Sequence, residues 1–411
     1  MSRTAPDWLL YALSVVLMGV GILNLYSIEA FPSFAWSYAY TRQLLWALAA
    51  LLVMGISTLV EGQTWRFFAY VIYGGGLFVM VLTALVAREV NGARAWLDIG
   101  PLRVQPSEFM KVATAMALAT FVTRYSFRWD SWKDRLGIVA LVGLPVGLTL
   151  LQRDTGTALT YGALLVPLYR WGLSAWVIGL PFILGGLAFL TLVYPWVYVG
   201  AVVSGLVLLM YLFIFRRKQA GLHVGILVLV WGWLALSGFL YERVLAPHQR
   251  QRIQALLNPY QDPLGAGWNT IQARIAVVAG GFAGQGYGKG LQSKLDFIPQ
   301  RHTDFAFCGI AEEWGWLGSA VLLLLFLSFI LRVSWVAERS NSPFALVYGY
   351  GFAGFLWIHF VINIAMVTGI FPVVGIPLIF ISYGGSSWVA VGWGLGVLQS
   401  LYRERGLRLF G

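Results

Sequence analysis

Cysteine, histidine and charge are all scarce in this chain, and each shortage closes off a class of function. The single cysteine, Cys308, excludes an intrachain disulfide and a cysteine-based metal cluster. The four histidines include no pair with metal-ligand spacing, and no Walker-type phosphate loop is present. Only 11% of the 411 residues are charged while 59% are hydrophobic, and mean hydropathy is +0.75, which excludes a soluble reading. Residues 8–26 have no small-residue cleavage site behind them, so they read as a retained first span and not as a signal peptide. No internal repeat suggests an inverted-repeat transporter.

Apolar runs of membrane-crossing length, about 20 residues each, are abundant. They predict an all-α polytopic membrane protein with twelve spans, at 8–28, 42–60, 66–87, 106–123, 136–152, 157–170, 173–194, 197–215, 222–243, 314–334, 344–367 and 378–402. Basic clusters at Arg124, Arg128, Lys133 and Arg135, at Arg216, Arg217 and Lys218, and at Arg403, Arg405 and Arg408 all fall inside when both termini are cytoplasmic. That rule and anionic lipid account for most of the net charge of +11, so nucleic acid is not an expected partner.

The same orientation leaves the loops at 88–105 and 244–313 outside, although they carry Arg88, Arg94, Arg103, Arg250, Arg252, Arg274, Lys289, Lys294 and Arg301. Cations placed against the topogenic bias point to an anionic ligand at the outer face. The plainer alternative is that Glu89, Asp98, Asp262 and Asp296 pair them off as a solvated surface. A polar loop of this length, 246–313, is rarely idle in a compact membrane domain. Its glycines (Gly280, Gly281, Gly284, Gly286, Gly288, Gly290) add to the demand for an explanation.

Four segments carry candidate chemistry. The first runs Gly92-Ala93-Arg94-Ala95-Trp96-Leu97 and then Gln105-Pro106-Ser107-Glu108, with Lys111 one turn into the next span. Pro106 and Glu108 suit a helix start, yet an ammonium one turn deep is costly unless it faces a cavity or a partner. The second, Gln152-Arg153-Asp154-Thr155-Gly156-Thr157, joins two spans by a tight turn that reads as structural as readily as catalytic. The third is Arg301-His302-Thr303-Asp304-Phe305, followed by Glu312 and Glu313. A carboxylate at Asp304 suits a general base towards a sugar hydroxyl, and it equally suits a helix N-cap. In the fourth, Ser382-Tyr383-Gly384-Gly385-Ser386-Ser387, small residues allow close packing or backbone approach to a ligand. His223 and His359 stand alone on apolar helices as packing residues, and His248 lies in the basic loop.

In this order, and over nearly the whole chain, these segments resemble the shape, elongation, division and sporulation (SEDS) family of polytopic peptidoglycan glycosyltransferases. The strongest block joins Gln249-Arg250-Gln251-Arg252-Ile253, Asp262-Pro263-Leu264-Gly265-Ala266-Gly267, Gly286-Tyr287-Gly288 and residues 297–305. Arginine before His302-Thr303-Asp304-Phe305 resembles the elongation, RodA-like branch.

The resemblance implies polymerisation of lipid II, a disaccharide-pentapeptide on undecaprenyl diphosphate, with Asp304 as the catalytic carboxylate. It implies substrate contacts at Arg94, Trp96, Glu108, Lys111, Asp154, Arg250, Arg252, Lys289, Arg301, His302, Ser382 and Tyr383. Arginine, lysine or a divalent cation (Mg or Mn) would stabilise the departing diphosphate. The implied partners are a class B penicillin-binding protein and other membrane proteins of the elongation complex.

The chain departs from the family pattern at Arg153 and Thr155, at Ala95 and at Ile379. It also carries two spans beyond the usual ten, with 197–243 as an inserted hairpin in one membrane domain of 1–411. A lipid II flippase or a non-catalytic scaffold is the competing expectation. The concentration of motif residues on the outer face, with no comparable inner set, speaks against the flippase.

Overall fold

The computed structural model describes every residue except 1–3, 30–33, 36, 91, 101, 214–219, 246, 262–266, 296, 299 and 407–411. The chain divides into two compact units, Met1–Gly172 with Trp268–Gly411, and Leu173–Gly267.

The first unit begins with α1 (Trp8–Ile28), α2 (Ala39–Leu59) and α3 (Gly62–Val86), followed by a small hairpin of β1 (Leu97–Ile99) and β2 (Leu102–Val104). Helices α4 (Pro106–Val122) and α5 (Trp132–Leu151) follow, then α6 (Thr155–Thr160) and α7 (Leu165–Arg170), separated by a 3₁₀ turn. The second unit holds α8 (Ala175–Val193), α9 (Trp196–Phe213), α10 (Ala220–Phe239) and α11 (Pro247–Leu257). The first unit resumes with α12 (Trp268–Ala279), α13 (Leu291–Lys294), α14 (Ala306–Glu338), α15 (Pro343–Val367) and α16 (Gly385–Arg403).

Each of the twelve expected spans overlaps helix among the described residues. By length and apolarity, eight stretches among the described residues are able to cross a bilayer: α1, α2, α3, α5, α8, residues 223–243, α14 and α15. A shorter apolar stretch, Trp196–Leu209, lies in α9. Helix α4 is not among the eight, being 17 residues long and carrying Glu108 and Lys111. Almost all of it is buried, and its Ala and Thr side chains pack against protein instead of lipid.

Two expected spans are interrupted. Residues 157–170 pass from α6 through the 3₁₀ turn at Tyr161–Leu164 into α7. The last span becomes helical only at Gly385, because residues 378–384 form a turn in which Phe380 has φ +64°. Below that turn α16 crosses α2 closely. A Cβ at Gly392 would come within 2.5 Å of the Ala50 carbonyl, and one at Gly396 within 2.6 Å of the Met54 carbonyl. This glycine pair at four-residue spacing lets two backbones meet.

In the second unit α8 buries none of its residues and is apolar all round, as a lipid-facing helix should be. The indoles of Trp231 and Trp233 donate to Ser204 Oγ (3.0 Å) and the Leu184 carbonyl (2.9 Å), joining α10 to α9 and α8. The expected basic turn at Arg216, Arg217 and Lys218 lies outside the described residues, as do Asp262 to Ala266, Asp296 and Arg408.

Candidate active site at the Asp304 turn

Asp304 sits in a tight turn that starts at Gln300, whose φ of +54° lies in the left-handed region. The carbonyl of Gln300 accepts from Thr303 N at 3.0 Å. Phe305, not Asp304, occupies the N-cap position of α14. The carboxylate is therefore half-buried one residue outside the helix, and the capping role that the sequence allows is not the one it has.

Two elements hold the turn. Asn363 on α15 donates from Nδ2 to the Asp304 carbonyl (2.9 Å) and the Ile376 carbonyl (2.8 Å). Tyr383 N donates to the His302 carbonyl at 2.7 Å. Gly375 (φ +76°) presents a bare Cα to the carboxylate, and a Cβ there would lie 3.5 Å from Asp304 Oδ2. The catalytic candidate thus lies against the loop between α15 and α16.

The glycine-rich segment has a definite job. Gly315 (φ 63°, ψ −159°) breaks the ladder of α14, and residues 281–286 replace the lost bonds. Gln285 N and Gly286 N donate to the carbonyls of Glu312 and Glu313, both at 3.0 Å. In return Trp316 N and Leu317 N donate to the carbonyls of Gly281 (2.9 Å) and Phe282 (3.1 Å). Side chains at Gly280 or Gly284 would land on the main chain of residues 311–314, so only glycine admits this exchange.

Glu312 is fully buried and accepts from Gln292 N (2.8 Å), Ser293 N (2.9 Å) and Ser293 Oγ (2.6 Å), capping α13. Glu313 accepts from Ser27 Oγ at 2.5 Å. Arg301 donates to the carbonyls of Ser293 (2.8 Å) and Lys294 (2.5 Å), and so braces the Asp304 turn against α13. Lys294 donates to the Gly288 carbonyl, whereas Lys289 extends from an exposed position.

A second cluster lies between α4 and α15. Lys111 is 5% exposed, and its Nζ lies 2.8 Å from Glu108 Oε1 and 2.8 Å from His359 Nε2. His359 Nδ1 is 3.0 Å from the Pro377 carbonyl. A carbonyl only accepts, so Nδ1 carries the proton and Nε2 accepts from the ammonium. His359 is a satisfied buried histidine, as its sequence setting suggests, but its partner is the one charge that the sequence marks as needing a partner. His359 and Asn363 lie one turn apart on α15 and hold the consecutive carbonyls of Pro377 and Ile376.

A third cluster draws three motif segments together. Gln105 Nε2 donates to Asp154 Oδ2 at 2.8 Å, and Gln105 N donates to Ser386 Oγ at 3.0 Å. Asp154 caps α6 by accepting from Thr157 N (3.0 Å) and Thr157 Oγ1 (2.7 Å). Burial pushes the Asp154 carboxyl above the usual carboxylate range, and the two Thr157 bonds partly offset this. Ser382 is buried in its own turn, accepting from Leu378 N at 2.9 Å. Tyr383 is half-buried with the Arg42 guanidinium 5.4 Å from its ring centre.

Arg94 is exposed and lies 3.6 Å from Glu89, which also lies 3.7 Å from Arg153, while Arg103 meets Asp98 at 2.9 Å. Acidic neighbours do pair these outer arginines, but exposed pairs of this kind hold weakly and exchange readily. Trp96 is half-buried just ahead of β1. Arg250 (half-buried) and Arg252 (exposed) lie on α11 of the second unit. Among the described residues no three His, Cys, Asp or Glu side chains gather as a metal-ligand set. Three of the four non-glycine residues with positive φ among those described, Arg153, Gln300 and Phe380, fall within or beside the motif segments. Clustered strain of this sort is typical of functional sites. Asn363 and His359 belong to these clusters without belonging to any short motif. The signal that the sequence offers for these two is their four-residue spacing.

The profile of the FtsW/RodA/SpoVE cell-cycle protein family matches residues 7–202 and 199–406. The chain is 32% identical to the peptidoglycan glycosyltransferase RodA of Treponema pallidum, covering 96% of this chain and 97% of that one. It is 33% identical to the peptidoglycan glycosyltransferase MrdB of Escherichia coli, covering 80% and 77%. Among solved structures it resembles a chain of a peptidoglycan synthase complex that coordinates polymerization and crosslinking. The TM-score is 0.70 at 30% identity, covering 98% of this chain and 99% of that one. The Thermus thermophilus rod shape determining protein RodA is similar at TM-score 0.62 and 26% identity, covering 98% of each chain.

Proposed function

The chain belongs to the FtsW/RodA/SpoVE family, and we propose that it polymerises lipid II into glycan strands with Asp304 as general base. It is a polytopic membrane glycosyltransferase of peptidoglycan synthesis, and the RodA relatives place it with the elongation branch.

In this reading the Asp304 carboxylate takes the proton of the acceptor sugar's hydroxyl as that oxygen attacks the donor's anomeric carbon. A new glycosidic C–O bond forms, the bond to the diphosphate breaks, and undecaprenyl diphosphate leaves. The observation that carries it is the hold on Asp304. Its main chain is fixed by Asn363 while its carboxylate stays half-buried against Gly375. Such positioning is what a general base requires.

The remaining assignments rest on sequence and family. Arg94, Trp96, Glu108, Lys111, Asp154, Lys289, His302 and Tyr383 would line or support the substrate site. Arg250 and Arg252 are assigned to it on sequence grounds alone. Arg301 and Ser382 would act through the turns they hold, because Arg301 Nη1 and Ser382 Oγ are bonded to main chain. Both termini would be cytoplasmic, with the catalytic loop 246–313 outside and 197–243 an added hairpin of one membrane domain. A class B penicillin-binding protein would cross-link the product, in keeping with the pairing of polymerization and crosslinking in the similar synthase complex.

The deciding experiment is polymer formation from labelled lipid II by wild type and Asp304→Asn, each with a transpeptidase-dead cognate penicillin-binding protein. Polymer from wild type alone supports the reading. Equal polymer from both removes Asp304 from the mechanism.

A further inference from the structure

Among the described residues, the start of α16 gathers hydrogen-bond donors that have no acceptor. This helix is 19 residues long, and no side chain caps its first turn. Its first N–H groups, at Gly385, Ser386 and Ser387, have no intrahelical partner by construction. They carry the positive end of the helix dipole.

Gln43 on α2 supplies an independent sign of a ligand. It is 0% exposed, and its Oε1 accepts from Gly384 N at 3.1 Å. An N–H only donates, so this bond fixes which way the amide faces. Nε2 is then left at the same helix end, buried and with no partner. Arg42, the preceding residue, has a buried Nε that is likewise unpartnered, and its guanidinium lies 5.4 Å from the Tyr383 ring centre. Leaving a buried donor without an acceptor forfeits its hydration with nothing in return, so these groups imply something that accepts from them.

The surroundings narrow the ligand. Every orphan group is a donor, which rejects a metal cation and favours an oxyanion. The carboxylate of Glu29 is engaged, accepting from Ala39 N (2.7 Å) and Tyr40 N (3.0 Å). Ser386 Oγ is occupied by Gln105 N. Gly384 and Gly385 remain half-exposed, so the helix end can be reached. Trp46 packs so closely on Gly385 that any side chain there would strike the ring. The bond from Tyr383 N to the His302 carbonyl ties the segment leading into this helix to the turn that carries Asp304.

We propose that the α16 N-terminus, with Gln43 Nε2 and Arg42, binds the phosphate groups of a polyprenyl diphosphate. This deepens the polymerase reading on which it rests, because it gives the leaving group a seat beside the general base. The same donors would suit a free diphosphate ion, and the experiment separates the two.

Gln43→Glu is the decisive variant. Its carboxylate keeps an acceptor for Gly384 N and places a favourable negative charge at the helix N-terminus, so the melting temperature should hold or rise. The same change replaces the orphan donor by an anion, so phosphate binding should fail. Farnesyl diphosphate binding to detergent-solubilised full-length wild type, Gln43→Glu and Arg42→Gln is measured alongside farnesol and inorganic diphosphate.

The expected result is farnesyl diphosphate binding at least tenfold weaker in Gln43→Glu, weakened in Arg42→Gln, and little binding of farnesol. Equal binding by wild type and Gln43→Glu overturns the site. Inorganic diphosphate binding as tightly as farnesyl diphosphate overturns the lipid-borne assignment. Lipid II polymerisation is scored separately. A binding difference without polymer from wild type retains the site and rejects the polymerase reading. Wild-type polymerisation by Gln43→Glu with unchanged inhibition by farnesyl diphosphate does the reverse.

Discussion

Asn363 holds Asp304 by its main chain, donating at 2.9 Å to the carbonyl of the residue whose side chain is the candidate base. The second N–H of the same amide takes the Ile376 carbonyl at 2.8 Å, so one fully buried side chain fixes the spacing between the Asp304 turn and the loop that carries Gly375. Removing it should therefore disturb chemistry more than substrate capture. Asn363→Ala is expected to lower kcat on lipid II by at least about tenfold, a barrier change of roughly 1.4 kcal/mol. KM should stay within about twofold. Steady-state kinetics on folded, solubilised protein checks this, and a loss confined to KM would count against it.

The buried pair of Lys111 and Glu108 predicts a difference between stability and activity. Lys111→Met strands the Glu108 carboxylate in the interior, a defect of about 3–5 kcal/mol. Glu108→Gln with Lys111→Met removes both charges and should recover much of the lost melting temperature. Polymerisation should stay low in both, because the ammonium is assigned to the substrate site. Thermal denaturation run beside the lipid II assay separates the two effects.

His359 keeps Lys111 paired through Nε2 and the Pro377 carbonyl through Nδ1. Replacing it by Phe leaves the ammonium short of one acceptor and the carbonyl short of its donor. A stability loss of about 2–3 kcal/mol is expected, one unmade buried bond at each end. His359→Gln, which can donate to one side and accept from the other, should lose less. Denaturant or thermal melts of the two variants give the comparison.

Two glycines, Gly280 just past the end of α12 and Gly55 within α2, should respond in opposite directions to a methyl group. At Gly280 the added carbon would collide with the Ala311 carbonyl, a main-chain atom inside the bond exchange around Gly315. Gly280→Ala should therefore destabilise by more than about 2 kcal/mol and cost activity, since the exchange braces the Asp304 loop. Gly55 on α2 has nothing within 4 Å, and Gly55→Ala should be neutral or stabilise by up to about 1 kcal/mol. Melting temperatures of the two proteins in one detergent decide the point.

Some of the site is legible in the residues alone. Lys111 one turn into an apolar helix demands a partner, and Glu108 at the (i, i+3) position with His359 supplies it. Helix positions are legible because apolar runs about 20 residues long have few alternatives in a bilayer. The start of the last helix is not, because Leu378 to Ile381 are as apolar as any span. They turn instead around Phe380 and the bond from Leu378 N to Ser382 Oγ. Arg301 reads as a ligand cation in sequence, and its hold on α13 through Nη1 is not legible there, since a guanidinium serves carbonyls as well as phosphates.

The sequence by itself determined that this is a helical membrane protein, which motif segments matter, and that Asp304 leads the most suggestive of them. Composition and the cost of unbonded backbone in lipid are properties of the chain read in order. The tertiary structure alone decided that Asn363 and His359, four residues apart on α15, bind the carbonyls of two consecutive residues, Ile376 and Pro377. It alone brought Gln43 to the start of α16, 341 positions along the chain from Gly384. Hydrogen bonds between residues so far apart depend on which helix surfaces meet, and that is set by shape complementarity between segments distant in the chain.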